Sequence, residues 1–484
     1  MKPYPLLFAG LLFLGACKKH GSSNPNAGTS PTTHSFFKDN VINENVKGSQ
    51  TFQHALGYYS LGSDASTQIM VASRGWSEHN DAAGFRIAAI NKTNGSVNWV
   101  RSYELPDAYY LQMATCAAMD KSENVYVAGQ CYQGTAAAIG AFLLKLDNKG
   151  NILWSKAFTN YLGLRAYSLQ VLGNGDLALL TKSHGALIVH RLTADGQPVW
   201  SFEAICKPNL PIDDDFYDSQ NGILSPEYHG LVEASDGSIF AAASGNGPLN
   251  GVGGTDHLIR LDANGNLLFA KSYTLSNNTG IVRPVQLLAF GTGQVLIADQ
   301  AAVYAPGPSP FFTLISLDGA IQASRGVPLN TNSQNALNIN EVNAFQGNIY
   351  LSTCGGYQFN TYVLDAGLNL KSSVKTAAAL DIGTDRGGIA LFDGSDLALY
   401  DVLNFGGNYG ESNGFEVLRN DGKGTPCINT YTEAPAALTL ENKQIMVASD
   451  TLFTFSAGPA ATFTTLTWQP APVSVASALN VCGL

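Results

Sequence analysis

A chain of 484 residues with 50 glycines, 10% aromatic residues and only 13% charged residues has the composition of many short strands joined by tight turns, which excludes a helical protein laced with Glu and Lys. Lys and Arg total 27 against 37 Asp and Glu, giving a net charge of −10 with no long run of one sign, so the electrostatic footprint of a nucleic-acid-binding protein is missing. The length accommodates one large repeat domain or roughly two or three ordinary ones, and the composition favours the first.

Lys2 precedes an apolar run from Pro5 to Leu14 that is too short to span a bilayer, and residues 1–16 read as a signal peptide. The run ends in Leu14-Gly15-Ala16-Cys17, which resembles the lipobox of bacterial lipoproteins. That resemblance implies that Cys17 receives a diacylglycerol, becomes the mature N-terminus and ties the protein to a membrane. Residues 17–35 are rich in Ser, Thr, Asn, Gly and Pro and read as a flexible tether. In an oxidising compartment the remaining cysteines can pair, and Cys427 and Cys482, which bracket the C-terminal segment, are the expected disulfide. Cys116 and Cys131 flank one hairpin, but its turn sets Cys116 opposite about Ala128, too offset to bridge.

From about Phe52 the chain repeats. Phe142 to Phe158, FLLKLDNKGNILWSKAF, is a β-hairpin with its turn chemistry at Asn148-Lys149-Gly150 and an aromatic, Trp154, four residues past the glycine. The same design recurs with Gly95 and Trp99, Gly196 and Trp200, and Gly265 and Phe269, and in weaker copies at Gly319, Gly367 and Gly422. A short strand precedes each hairpin: 67–74, 124–130, 176–183, 238–244, 294–300, 348–354 and 396–402. Glycine-to-glycine intervals of 46 to 69 residues are the period of a four-stranded blade plus a variable loop. The expected fold is all-β, a seven-bladed β-propeller over residues 36–427, with the segment around Phe36 to Gln53 supplying closure. In this reading the turn glycine serves the hairpin and the aromatic fills the wedge between neighbouring blades. After Cys427 the pattern changes to Thr-, Ala- and Pro-rich alternation, and residues 428–484 read as a small C-terminal all-β appendage.

Over roughly Phe52 to Cys427 the units resemble the exported β-propeller repeats of Bacteroidota envelope proteins, related to PQQ-like and SBBP-type repeats. The resemblance is specific for fold. It implies an outer-membrane lipoprotein, periplasm-facing or on the cell surface. PQQ-dependent dehydrogenases with similar repeats carry an adjacent Cys-Cys pair that this chain lacks, so no cofactor is expected.

Turns between first and second and between third and fourth strands are short, whereas the connections at the opposite face are long: 104–111, 130–140, 204–227, 244–257, 274–283, 300–311, 326–340, 354–361 and 403–414. Long ordered loops on a rigid scaffold usually serve binding, so this face is the expected functional one. It carries Tyr109, Tyr110, Tyr132, Tyr161, Phe216, Tyr217, Tyr228, Tyr357, Phe359, Phe405 and Tyr409, flat side chains able to stack on sugar rings or a peptide. His229 lies beside Glu227 and Tyr228. Asp213-Asp214-Asp215 with Asp218 and Asn221 is the densest oxygen cluster, but its spacing does not fit a calcium loop, and no C-x-x-C or Cys/His cluster suggests zinc; Asp213, Asp215 and Asp218 stay as weak metal candidates. G-x-S-x-G, H-E-x-x-H and P-loop motifs are absent. Two classes follow. The first is a monomeric, non-enzymatic propeller binding a glycan or an envelope protein. The second is a polysaccharide lyase or hydrolase using Asp213, Asp214, Asp215, Glu227 and His229, which paired carboxylates roughly 5–10 Å apart at the funnel mouth would favour.

Overall fold

Strands buried on both faces read as continuous apolar runs, and strands with one wet face alternate; both patterns are present and set the radial order of the sheets. Phe85–Asn91 and Ala186–Leu192 are buried at nearly every position, while Val97–Glu104 and Ile152–Phe158 alternate. In the computed structural model the described residues are 36–43, 52–60, 67–74, 84–91, 96–105, 109–133, 138–159, 164–183, 186–206, 230–246, 254–275, 281–302, 309–326, 338–355, 358–378, 389–392, 397–404, 414–420, 428–433, 441–442, 445–449, 453–458, 460–467 and 469–482. Among them every regular element is a β-strand.

Among the described residues, with the C-terminal strands set aside, the strands make seven antiparallel groups of four. Blades 1 to 6 lie within 52–104, 109–158, 165–206, 231–275, 281–326 and 338–378. Blade 7 takes three strands from 389–420, and its fourth is the N-terminal strand Phe36–Asn43, paired with Gly414–Asn420. The first strand of each blade touches the first strand of the next, and Ile389–Phe392 touches Phe52–Ser60, which closes the ring. This is a β-propeller, with the N-terminal segment supplying closure as expected. Its core is divided among the wedges between blades rather than gathered at one centre.

One device joins the blades. At the turn between third and fourth strands, the Asp147 carboxylate accepts the N–H groups of Lys149 and Asn151 at 2.9 and 2.7 Å and the Asn151 amide at 2.8 Å, and Gly150 takes φ of 76°. Asp262 and Asp365 repeat the arrangement. The aromatic on the fourth strand of one blade then lies against the turn of the next. A Cβ added to Gly196 would sit 2.9 Å from the Trp154 ring, one on Gly265 2.7 Å from Trp200, and one on Gly319 3.0 Å from Phe269. Polar atoms fasten the same joint: Tyr103 Oη donates to Gly150 O at 2.7 Å, Lys156 Nζ to Gly196 O at 2.7 Å and Tyr273 Oη to Gly319 O at 2.9 Å. The wedge aromatic expected from sequence therefore fills its space by covering a neighbour's glycine.

Blade 6 corrects the repeat register. The left-handed residue there is Leu368 with φ of 61°, not Gly367. Leu368 is fully buried in the cluster between blades 5 and 6, and the fourth-strand residue of blade 5 packed there is Ala323 in place of an aromatic. A small residue has replaced the ring and a large one the glycine, conserving the volume of the joint.

The C-terminal segment is all-β, and the structure shows where its strands go. They form no sheet of their own among the described residues; each lies outside a blade. Ile428–Glu433 pairs with blade 6, Glu441–Asn442 with blade 5, Ile445–Ser449 with blade 4, Phe453–Ala457 with blade 3 and Phe463–Thr465 with blade 2. Gln469–Cys482 pairs through 469–473 with Val97–Glu104 of blade 1 and through 474–482 with Phe36–Asn43 of blade 7. The segment is a belt running backwards round the rim, and its last strand straddles the seam where the ring closes. Phe455 stacks on Phe202 and Phe463 meets Phe158 edge-on, so the belt is packed as well as hydrogen-bonded.

The joint predicts unequal effects of one substitution at two glycines. Gly196→Ala has to bear positive φ and displace Trp154, and is expected to cost about 2–4 kcal/mol; Gly175→Ala, with φ of 91° but nothing within 4 Å, about 1–2 kcal/mol. Urea unfolding of both variants measures this, and equal losses would remove the ring from the account.

Candidate functional site

Antiparallel pairing puts the turns within each pair of first and second, and third and fourth, strands at one end of the ring and the long connections at the other. Tyr109 and Tyr110 open the first strand of blade 2 and Tyr132 nearly ends the second, with Leu111 opposite Tyr132 and Tyr109 opposite Gln133. The structure thus brings these three tyrosines to one sheet end at the long-loop face. Phe359 reaches the same face in blade 6, opposite Cys354. Tyr217, Tyr228, His229, Tyr357, Tyr409, Glu227, Asp213, Asp214, Asp215 and Asp218 lie outside the described residues, as do Cys17 and Cys427. Cys482 ends the belt opposite Phe37.

Sequence reasoning missed the most unusual ionisable pair in the structure. Asp256, near the start of the third strand of blade 4, and Asp299, near the end of the second strand of blade 5, face each other across the wedge between blades. They are 3% and 1% exposed. Burial pushes the Asp256 carboxyl up to about 7; burial and then the neighbouring Asp256 charge push Asp299 well above the carboxylate range. The pair is set back from the axis, on second and third strands rather than the first strands that form the inner ring, and it is closed to solvent.

Other buried polar groups have structural partners. His190 is fully buried, with Nδ1 2.9 Å from Ser201 Oγ and Nε2 3.0 Å from Thr181 Oγ1, and its ring lies 5.1 Å from Phe158. Burial pulls its pKa down to about 3, so it stays neutral and cannot serve as an acid near neutrality. Cys116 is opposite Ala128 and Cys131 opposite Gln112, and both thiols are free. Burial pushes each up to about 12, which makes them inert packing groups. Among the described residues no three His, Cys, Asp or Glu side chains gather to hold a metal, and no helix is long and apolar enough to cross a membrane.

No known family profile matches the chain, and no curated protein does. Several solved structures are similar in part. A protein of unknown function from Bacteroides caccae is 16% identical, with 63% of this chain and 91% of that one covered and a TM-score of 0.37. The β-propeller domain of the Trilobed protease from Pyrococcus furiosus, described as having an open velcro topology, is 10% identical over 77% of this chain and 100% of that one, with a TM-score of 0.39. The Nup133 β-propeller domain of Vanderwaltozyma polyspora is 10% identical over the same shares, with a TM-score of 0.32. At these scores the fold assignment rests on the strand pairings above.

Proposed function

We propose that this protein is a non-enzymatic binding or scaffold propeller of the bacterial cell envelope, anchored through lipid on Cys17 and similar in kind to Bacteroidota propeller lipoproteins. The observation that carries the reading is the asymmetry of the ring. One face is built from short, hydrogen-bonded turns that serve blade packing; the long connections leave from the other, where Tyr109, Tyr110 and Tyr132 stand at strand ends. Buried His190, Cys116 and Cys131 supply no accessible acid, base or nucleophile. The ligand is a glycan or an envelope protein bound by stacking and hydrogen bonds. A Cys427–Cys482 disulfide would join the two ends of the belt segment.

The anchor is tested by Cys17→Ala, which is expected to block signal processing or release the protein from the membrane fraction. Peptide mapping without reduction reads the acyl group on Cys17 and the Cys427–Cys482 bridge in the same sample. A variant that stayed membrane-bound at the processed size would refute the anchor. The face is tested with a glycan array beside a crosslinking pull-down from envelope extract. Tyr217→Ala and Tyr228→Ala are each expected to weaken the interaction by more than about 1 kcal/mol, with Lys149→Ala in a short turn leaving it unchanged. Loss of binding in the Lys149 variant alone would point to the opposite face, and turnover of a polysaccharide would replace binding by catalysis.

A further inference from the structure

A repeat fold gives each position internal controls, and two positions break the repeat together. Six residues before the residue whose N–H closes the third-to-fourth turn, the other blades described there carry Phe85, Ala141, Leu187, Pro310 and Phe359; blade 4 carries Asp256. On the second strand, at the position of Asp299, they carry Ala72, Gly129, Thr181, Ala243 and Thr353. The scaffold therefore manages without a carboxylate at either place. In blades 4 and 5 the two exceptions share one wedge. Asp256 is on the strand face of Leu258, and Asp299 on that of Val295 and Ile297, all three in the apolar cluster between these blades.

Among the described residues no donor reaches Asp256 Oδ1 or either oxygen of Asp299. Each carboxyl has the other as its partner, and a hydrogen bond between them requires a proton on one. Among the described side chains no cation acts on either carboxyl; burial and the partner carboxyl account for both shifts. Tyr273, opposite Asp256 in register, donates to Gly319 O, and burial pushes its hydroxyl up. Arg260, on the same strand face as Asp256, is paired with Asp236 and Leu317 O. His257 follows Asp256 with its side chain on the other strand face, opposite Ser272. On blade 5, Pro284 and Phe311 are the register partners of Asp299, and Arg283 precedes Pro284. Two like charges here would repel in a medium that screens them poorly.

We propose that Asp256 and Asp299 form a one-proton joint between blades 4 and 5, closed while they share the proton and forced apart when it leaves. The strand of Asp256 starts two residues before it and that of Asp299 ends three residues after it, so the joint lies just beneath the long-loop face. Its protonation thus couples pH to the spacing of two blades whatever that face binds. The folded carboxyls are raised above the unfolded value of about 3.9. Their contribution is therefore fully present below about pH 4 and falls as pH rises: Asp256 gives up its proton first, at about 7, which leaves the shared proton on Asp299, and that proton is lost only higher still.

The test is urea unfolding of the full mature chain across that window, with Asp256→Asn/Asp299→Asn beside wild type. The wild-type unfolding constant is expected to rise with pH relative to the double variant, by up to about a hundredfold per unit below about pH 7, where the folded pair holds two extra protons, and by up to about tenfold per unit above it, where it holds one. Should the double variant not fold, Asp299→Asn is compared instead by infrared difference spectroscopy, where wild type at about pH 8 keeps the protonated-carboxyl band of the shared proton and the variant, left with Asp256 alone, lacks it. Parallel pH profiles, or identical bands, would overturn the proposal. So would a stabilisation of wild type by calcium or magnesium at neutral pH that the variant does not share, since the pair would then hold a metal ion.

Discussion

The structure depends on a contact between an aromatic ring and a backbone turn. A blade buries its apolar faces only against its neighbours, so each wedge has to be filled to the density of a protein interior by groups that also fix the angle between sheets. Trp154 on Gly196 and Trp200 on Gly265 do this with a flat surface on one side and a missing side chain on the other. The hydrogen bonds from Tyr103, Lys156 and Tyr273 to the turn carbonyls then set the height at which one blade meets the next. The two constant features of the repeat, glycine and aromatic, are thus halves of one joint held by different blades.

A ring of such joints leaves the outermost strand of every blade as an open edge and one seam where the chain ends meet. Open edges invite pairing with other chains. The belt of residues 428–482 answers both problems, covering part of the outer edge of blades 1 to 6 and bonding across the seam through Gln469–Cys482. The N-terminal strand Phe36–Asn43 is held on both sides, by Gly414–Asn420 and by the belt. Closure therefore draws on both ends of the chain.

The blades were legible because their signals are local. Turn glycines, an alternating strand and an aromatic at fixed spacing all fall within about twenty residues, and even the Cys116–Ala128 register followed from one turn. The path of the belt was not legible, since its strands are as short as Glu441–Asn442 and Thr454 meets Ile205 across 249 residues of sequence. Leu368 was missed because the exchange with Ala323 is visible only when two blades are compared. Asp256 and Asp299 escaped for the same reason: each alone is an ordinary strand residue, and only their facing strands make them a pair. Of the candidate site, the loop lengths in the sequence pointed to one end of the ring, and the strand pairing puts Tyr109, Tyr110 and Tyr132 at that end.

The central claim is that blade spacing is set by a paired volume, ring plus glycine or alanine plus leucine, and a double-mutant cycle at the exceptional joint tests it most directly. Ala323→Phe alone is expected to overpack the wedge and cost about 1–3 kcal/mol, and Leu368→Gly alone to open a cavity costing about 2–5 kcal/mol. Together they recreate the ring-on-glycine joint of the other blades, and the account predicts that the double variant recovers at least about 1 kcal/mol relative to the sum of the single losses. Strictly additive losses would contradict it, because the two positions would then not share a volume.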